Sequence, residues 1–364
     1  MKLVLICTLP LLSIAINFDN NACTSFEAYH ILDFSRKCYH NPDVLSDVPS
    51  MAERHNYKTE IYPVTTSDGY ILTLFRIQSK EVDTKKIVFL QHGITINSAP
   101  WVDIGNRSLA FNLADLGYDV WLGNVRGSTY SNQHVRWTVL DPEFWNFNLD
   151  TIAQIDIGTQ LKFIANETGK GGNITFIGHS MGTTLALMFC SEYYNEAHTL
   201  VKELILLAPV VYLNDIFILE LVKPLMLQLF IIVQLLDFSK IYSYTLVTGL
   251  VVHRFTNLNN TYKFQKYDYG SKENNKIYDN PVPPTYDLWK VKMPVHLFYG
   301  ISDSLFKKEN LDRLFNELGS LKKFKYKVPS ENNGYDFNHI DFLYAAYIKE
   351  FLYKKIFEIL GNDE

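Results

Sequence analysis

Gly178-His179-Ser180-Met181-Gly182 lies between a short apolar run and a helical one, the setting in which a serine becomes a nucleophile. A sharp strand-to-helix turn holds such a serine in a strained backbone conformation. Glycines two residues to either side keep side chains away from the neighbouring strand and helix. The helix that starts after the serine aims amide groups and a partial positive charge at the reacting carbon, which favours a developing oxyanion. The pentapeptide alone says little. Its position directly after a core strand makes it informative.

A serine hydroxyl is a poor nucleophile near neutral pH unless a histidine takes its proton, and that histidine needs a carboxylate to fix its tautomer. Both partners are expected on loops after later strands. Asp303, in Gly300-Ile301-Ser302-Asp303, directly follows the apolar run Val295–Tyr299 and is the expected acid. Asp312 falls on the next helix and Asp336 on a late loop. The expected base is His339, in Phe337-Asn338-His339-Ile340-Asp341, because it lies in a loop after the last strand. His296 sits inside a strand, His198 ends a helical stretch, and His179 is carried by the elbow on the wrong side. His92-Gly93-Ile94 follows an earlier strand, so the backbone N–H groups of Ile94 and Met181 are assigned to the oxyanion. Arg126, in a turn after the second strand of the parallel part, reads as a structural hydrogen-bonding hub.

Other chemistries fail on spacing. Gly169-Lys170-Gly171-Gly172 lacks the order of a P-loop, no G-x-G-x-x-G follows the first strand, and no His-rich helix offers metal ligands, so neither cofactor nor metal is expected. With 34 basic and 39 acidic residues the net charge is −5, and no Lys/Arg-rich run follows a phosphate backbone, which argues against nucleic acid as a partner. A chain 47% hydrophobic and 14% aromatic has ample material for a core.

These residues must be held by a scaffold. Apolar runs at Ile87–Gln91, 119–122, 174–177, 204–208, Val295–Tyr299 and 324–328 alternate with helical stretches such as 150–166 and 183–190, which predicts an α/β fold. Its mostly parallel sheet is expected to be covered by helices on both faces. Upstream, 59–64 and Tyr70–Ile77 flank Ser67-Asp68-Gly69, an antiparallel hairpin that makes the sheet mixed. Residues 210–293 break the rhythm and read as an inserted helical cap, with a wide apolar helix pair over 216–236 interrupted at Pro224. Residues 278–284 read as the extended return to the sheet. The core is thus divided into 16–209 and 294–364.

Residues 1–15 read as a secretory signal peptide: Met1-Lys2, an apolar run, then Ser13-Ile14-Ala15 as a cleavage site, with Ala22 as an alternative. The run is shorter than the ~20 residues a membrane anchor needs. Of the remaining cysteines, Cys23 and Cys38 are suited to one bridge, and Cys190 to a buried thiol. In a secreted or lysosomal chain the sequons at Asn106, Asn166, Asn173 and Asn259 are glycosylation candidates, Asn173 the weakest because it abuts a core strand. The C-terminus shows neither an ER-retention signal nor an apolar anchor tail.

With those residues in place, the chain resembles the acid lipase family, the gastric, lysosomal acid and insect lipase-like enzymes. The resemblance runs nearly end to end. It rests on Thr66-Ser67-Asp68-Gly69-Tyr70, Leu90-Gln91-His92-Gly93, Gly123-Asn124-Val125-Arg126-Gly127, Glu143-Phe144-Trp145, Gly178-His179-Ser180-Met181-Gly182, Leu207-Ala208-Pro209 and Asn338-His339-Ile340-Asp341-Phe342. It implies an α/β-hydrolase fold with a shortened cap, and hydrolysis of neutral-lipid esters, triacylglycerols or sterol esters, at a lipid–water interface. It also implies Ser180 as nucleophile, Asp303 as acid and His339 as base. Met181 stands where the family usually has Gln, and only its backbone N–H is needed. The competing expectations are a lipase-like protein that binds lipid with little turnover, and a thioesterase or peptidase sharing the triad.

Overall fold

The computed structural model describes residues 20–32, 34–78, 86–212, 263–330 and 335–361. The proposed signal peptide, the apolar helix pair over 216–236 and Asn259 lie outside the described residues.

Eleven strands are described. Ala22–Cys23 (β1) and Cys38–Tyr39 (β2) form a two-stranded sheet stapled by a Cys23–Cys38 disulfide. The other nine make one sheet: Thr59–Thr65 (β3), Tyr70–Ile77 (β4), Ile87–Gln91 (β5), Asp119–Gly123 (β6), Gln133–His134 (β7), Ile174–His179 (β8), Val201–Leu207 (β9), Val295–Tyr299 (β10) and Lys323–Lys327 (β11). Their order is β11-β10-β9-β8-β5-β6-β4-β3, with β7 beside β4. From β6 to β11 neighbouring strands run parallel, while β3, β4 and β7 join antiparallel. The chain builds outward from β5 first towards β6 and then, from β8, the other way. This reversal between β5 and β8 leaves a crevice at their carboxyl ends, the usual ligand position in such sheets.

The strand residues alternate between two cores, because successive side chains point to opposite faces. Phe89, Trp121, Phe176, Leu206 and Leu297 pack on one side, with Gly158–Thr168 (α4) and Met181–Glu192 (α5). Val88, Leu90, Val120, Leu122, Ile205 and Phe298 pack on the other, with Val48–Arg54 (α1) and Leu109–Asp115 (α2). Helices therefore cover both faces. Each fully buried large apolar side chain contributes about 1.5–3 kcal/mol, and truncating Phe89, which has no exposure, to Ala should cost about 3–5 kcal/mol.

Local signals set the helix ends. Asp47 caps α1 by accepting the Ser50 N–H at 2.9 Å, and α4 stops at Gly169, whose φ of 65° suits a residue without a side chain. The stretch expected as one helix over 150–166 is Leu149–Thr151 (α3), a wider π turn over Ile152–Ile157, then α4. Asp156 within the π turn is fully buried and binds Arg126.

Both described ends of the expected cap region are fastened to the body. Val210, Val211 and Tyr212 are buried at one end. At the other, Asp150 accepts hydrogen bonds from the Tyr286 hydroxyl and the Tyr267 N–H, both at 2.7 Å. Residues 278–284 differ from the expected extended return. They follow the helix Ser271–Tyr278 and bend back, because buried Asn274 donates to the carbonyl of Pro281 at 3.0 Å.

Candidate active site

Ser180 stands between β8 and α5 with φ 55° and ψ −121°, a conformation that costs a non-glycine residue of order 1–3 kcal/mol. Packing imposes it. A Cβ on Gly182 would lie 2.6 Å from the Gln91 carbonyl oxygen, and one on Gly178 would lie 2.8 Å from the Gly182 backbone. Neither position accepts a side chain, so the turn can approach β5 and α5 only with glycines there. The Ser180 N–H donates to the carbonyl of Leu207 at 3.1 Å, which ties the elbow to β9.

His339 reaches the serine from the loop after β11, 159 residues away. Its Nε2 is 2.8 Å from Ser180 Oγ, and its Nδ1 is 2.8 Å from Asp303 Oδ2. An ionised Asp303 only accepts, so Nδ1 carries the hydrogen and Nε2 is left to accept from Ser180. Asp303 follows β10, is 6% exposed, and takes a second hydrogen bond on Oδ1 from the Leu305 N–H at 2.8 Å. It therefore both shapes its own turn and faces the histidine. The loop carrying His339 is closed by local bonds: Asn338 Oδ1 accepts from the N–H groups of Ile340 and Asp341, and Asp341 accepts from the Asn338 N–H.

Two further histidines brace this arrangement. His179 Nε2 donates to the carbonyl of His339 at 2.9 Å, and burial, with the adjacent His339 ring, holds its pKa down at about 3. It stays neutral and pins the loop bearing His339. Sequence reasoning set His179 aside because it points away from the serine, and nothing in its neighbours signals a backbone partner 160 residues on. Buried His92, lowered to about 4 by desolvation, links two turns: Nδ1 donates to the Gly93 carbonyl at 2.7 Å, while Nε2 accepts from the Val125 N–H at 3.3 Å. That fixes the turn carrying Ile94. Gly93 packs so tightly on the elbow that a Cβ there would sit 3.1 Å from Ser180 Cβ. Met181 opens α5, so its N–H has no partner within the helix, whereas Ile94 is partly buried in the turn after β5.

The remaining expected residues separate cleanly. Arg126 is a buried hub, bonding Asp156 and Asp68 and lying 3.9 Å over the Tyr70 ring. Asp312 pairs with Lys308 and Lys325, and Asp336 with Lys327, whereas His339 pairs with Asp303. His296 meets the Tyr326 hydroxyl at 3.2 Å. Cys190 is buried, and desolvation pushes its thiol up to about 12. Asn106, Asn166 and Asn173 are exposed, Asn173 in the turn that abuts β8. Among the described residues no helix is long and apolar enough to cross a membrane, and no group of three or more His, Cys, Asp or Glu is placed to hold a metal.

A cavity of about 330 Å³ opens beside the elbow, with Gly93 and Met181 in its wall.

Comparison with known proteins agrees with this architecture. Residues 86–331 match the family described as "alpha/beta hydrolase fold", and residues 48–105 match the "Partial alpha/beta-hydrolase lipase region". The chain is 30% identical to mouse (Mus musculus) lipase member N, covering 94% of this chain and 98% of that protein. It is 28% identical to bovine (Bos taurus) gastric triacylglycerol lipase, over 91% and 95% of the two chains. It is 29% identical to the lysosomal acid lipase/cholesteryl ester hydrolase of Macaca fascicularis, over 88% and 92%. Among solved structures, an esterase of Pyrococcus furiosus superposes with a TM-score of 0.53 at 17% identity, covering 85% of this chain and 92% of that one, which speaks to fold alone. With the hydrolase family matched over most of its length and a lipase relative over nearly all of it, the chain belongs to the lipases of the α/β-hydrolase fold.

Proposed function

We propose that the chain is a carboxylic ester hydrolase acting on neutral lipids, with Ser180 as nucleophile, His339 as general base and acid, and Asp303 orienting and stabilising the imidazolium. The observation that carries this reading is the unbroken relay from Asp303 Oδ2 through His339 to Ser180 Oγ, with both contacts at 2.8 Å. His339 takes the serine proton as Ser180 Oγ attacks the ester carbonyl. The N–H groups of Ile94 and Met181 stabilise the oxyanion, aided by the positive end of α5. His339 then protonates the leaving alcohol. A water activated the same way releases the acid from the acyl-enzyme.

The lipase relatives support a lipid ester over a peptide or thioester as substrate. They also support a secreted or lysosomal destination, with which a signal peptide over residues 1–15 is consistent, and residues 210–293 remain the proposed cap. Asn106, Asn166 and Asn173, all exposed, are the proposed glycan carriers together with Asn259.

The test compares the purified chain with Ser180→Ala on p-nitrophenyl esters of rising chain length. Loss of at least about a thousandfold in kcat is expected, because the three residues act as a unit. Equal rates in a folded variant refute the assignment.

A further inference from the structure

The cavity beside the elbow has an apolar wall that includes Val125, Trp145 and Ile152, as any lipid-ester site requires. Two of its lining side chains do not fit that purpose. Asp103 Oδ1 and Ser128 Oγ are both shielded from solvent, and among the described residues neither has a hydrogen-bond partner. Ser128 is only 8% exposed. Buried polar atoms without partners are uncommon and costly, and a purely hydrocarbon occupant would leave both unpaired.

Asp103 is held for presentation. Its Oδ2 accepts from the Tyr344 hydroxyl at 2.9 Å, which leaves Oδ1 as the oxygen offered. Tyr344 ends the short helix Asp341–Tyr344, directly after the loop that carries His339. Asp103 is thus tied to the segment that carries His339, the group that in the proposed mechanism protonates the leaving alcohol. Burial raises the Asp103 carboxyl to about 6, so in mildly acidic medium it can donate as well as accept.

We propose that this cavity is a subsite for a hydroxyl-bearing alcohol, the glycerol unit of a partial glyceride, whose free hydroxyl bonds Asp103 Oδ1 and Ser128 Oγ. The inference rests on the ester-hydrolase reading and specifies its substrate. The acyl C–O bond breaks as His339 protonates the glycerol oxygen. The acyl group remains on Ser180 Oγ until water, giving a proton to His339, releases the carboxylic acid. A site built to bond a hydroxyl discriminates strongly against an analogue lacking it, because its own polar groups are then stranded.

The experiment measures kcat/KM of the full chain for four soluble esters: glycerol monobutyrate, methyl butyrate, methyl 3-hydroxybutyrate and tributyrin. Glycerol monobutyrate is expected to exceed methyl butyrate by at least about tenfold, and tributyrin, which has no free hydroxyl, to show no such advantage. Ser128→Ala and Asp103→Ala should each shrink the monobutyrate-to-methyl ratio by about threefold or more. Ser128→Ala removes one atom from a turn and keeps the test valid should Asp103→Ala not fold. A ratio near one in the wild-type chain, or a ratio unchanged in both folded variants, overturns the subsite. If methyl 3-hydroxybutyrate shows the preference instead, the hydroxyl belongs to the acyl half and the assignment to glycerol is wrong. No turnover of any ester by wild type above Ser180→Ala refutes the hydrolase reading, and the subsite with it.

Discussion

Replacing Asp303 by Asn tests the relay where its geometry is most demanding. The carboxylate accepts twice, from His339 Nδ1–H and from the Leu305 N–H, each at 2.8 Å. An amide has only one accepting oxygen. With its NH₂ towards His339, Nδ1 must lose its hydrogen, Nε2 gains one, and the imidazole can no longer accept from Ser180. With its NH₂ towards Leu305, two donors face each other at a position 6% exposed, at a cost of about 1–3 kcal/mol for the stranded group. Either way the imidazolium loses its counter-charge. The expected fall in kcat is about ten-thousandfold, the size found when a protease triad acid becomes its amide, which corresponds to about 5 kcal/mol of barrier. The assay is kcat on p-nitrophenyl butyrate, corrected by phosphonate titration of active sites, with thermal melting to confirm folding. Asp336→Asn serves as control, since Asp336 pairs with Lys327 and not with the base. A folded Asp303→Asn within tenfold of wild type, or a collapse in Asp336→Asn instead, refutes the reasoning.

Asp156→Ala should lower the unfolding free energy by about 3–5 kcal/mol in urea, because it leaves the buried Arg126 guanidinium short of its fully buried partner; Asp312→Asn, on the surface, should leave the midpoint in place. Stability should rise with pH between about 4 and 6.5. His92 and His179 are held neutral in the folded chain, at about 4 and about 3, so the unfolded chain binds more protons in that window. Asp103, raised to about 6, opposes them in part, so these three groups together contribute about one proton near pH 5, or about 1.4 kcal/mol per pH unit; a urea series in which stability grows towards acid contradicts this.

The sheet is legible in the sequence because a parallel strand buried on both faces needs a continuous apolar run, and Ile87–Gln91 or Val295–Tyr299 can be little else. Ser180, Asp303 and His339 are legible as candidates because chain order after successive strands limits where a partner can lie. β11 is the exception. Lys323–Lys327 alternates lysine with aromatic residues and is only partly covered, as suits the edge of a sheet, so the run expected at 324–328 is a weaker strand signal than the others. The π turn over Ile152–Ile157 has no periodic signature, since its apolar residues also fit an ordinary helix. Asp103 and Ser128 are invisible in a different way. Their types are common in loops, and only the fold reveals that they share one cavity and lack partners.

The edge position of β11 also explains why a neutral buried histidine stands beside Ser180. Ser180 is built into the interior of the sheet, held by β9 and by glycine contacts with β5, and has little freedom to move. His339 lies on the loop after β11, which among the described residues is an edge strand paired with β10, so without further ties its position would follow the edge of the sheet. The hydrogen bond from His179 Nε2 to the His339 carbonyl ties that loop directly to β8, bypassing β9, β10 and β11. A charged His179 could still donate there, but it would set a second positive charge beside the imidazolium that the proposed mechanism forms at His339. Keeping His179 buried and neutral provides the tether without that repulsion, and the rings, 5.0 Å apart between centroids, are close enough for the difference to matter.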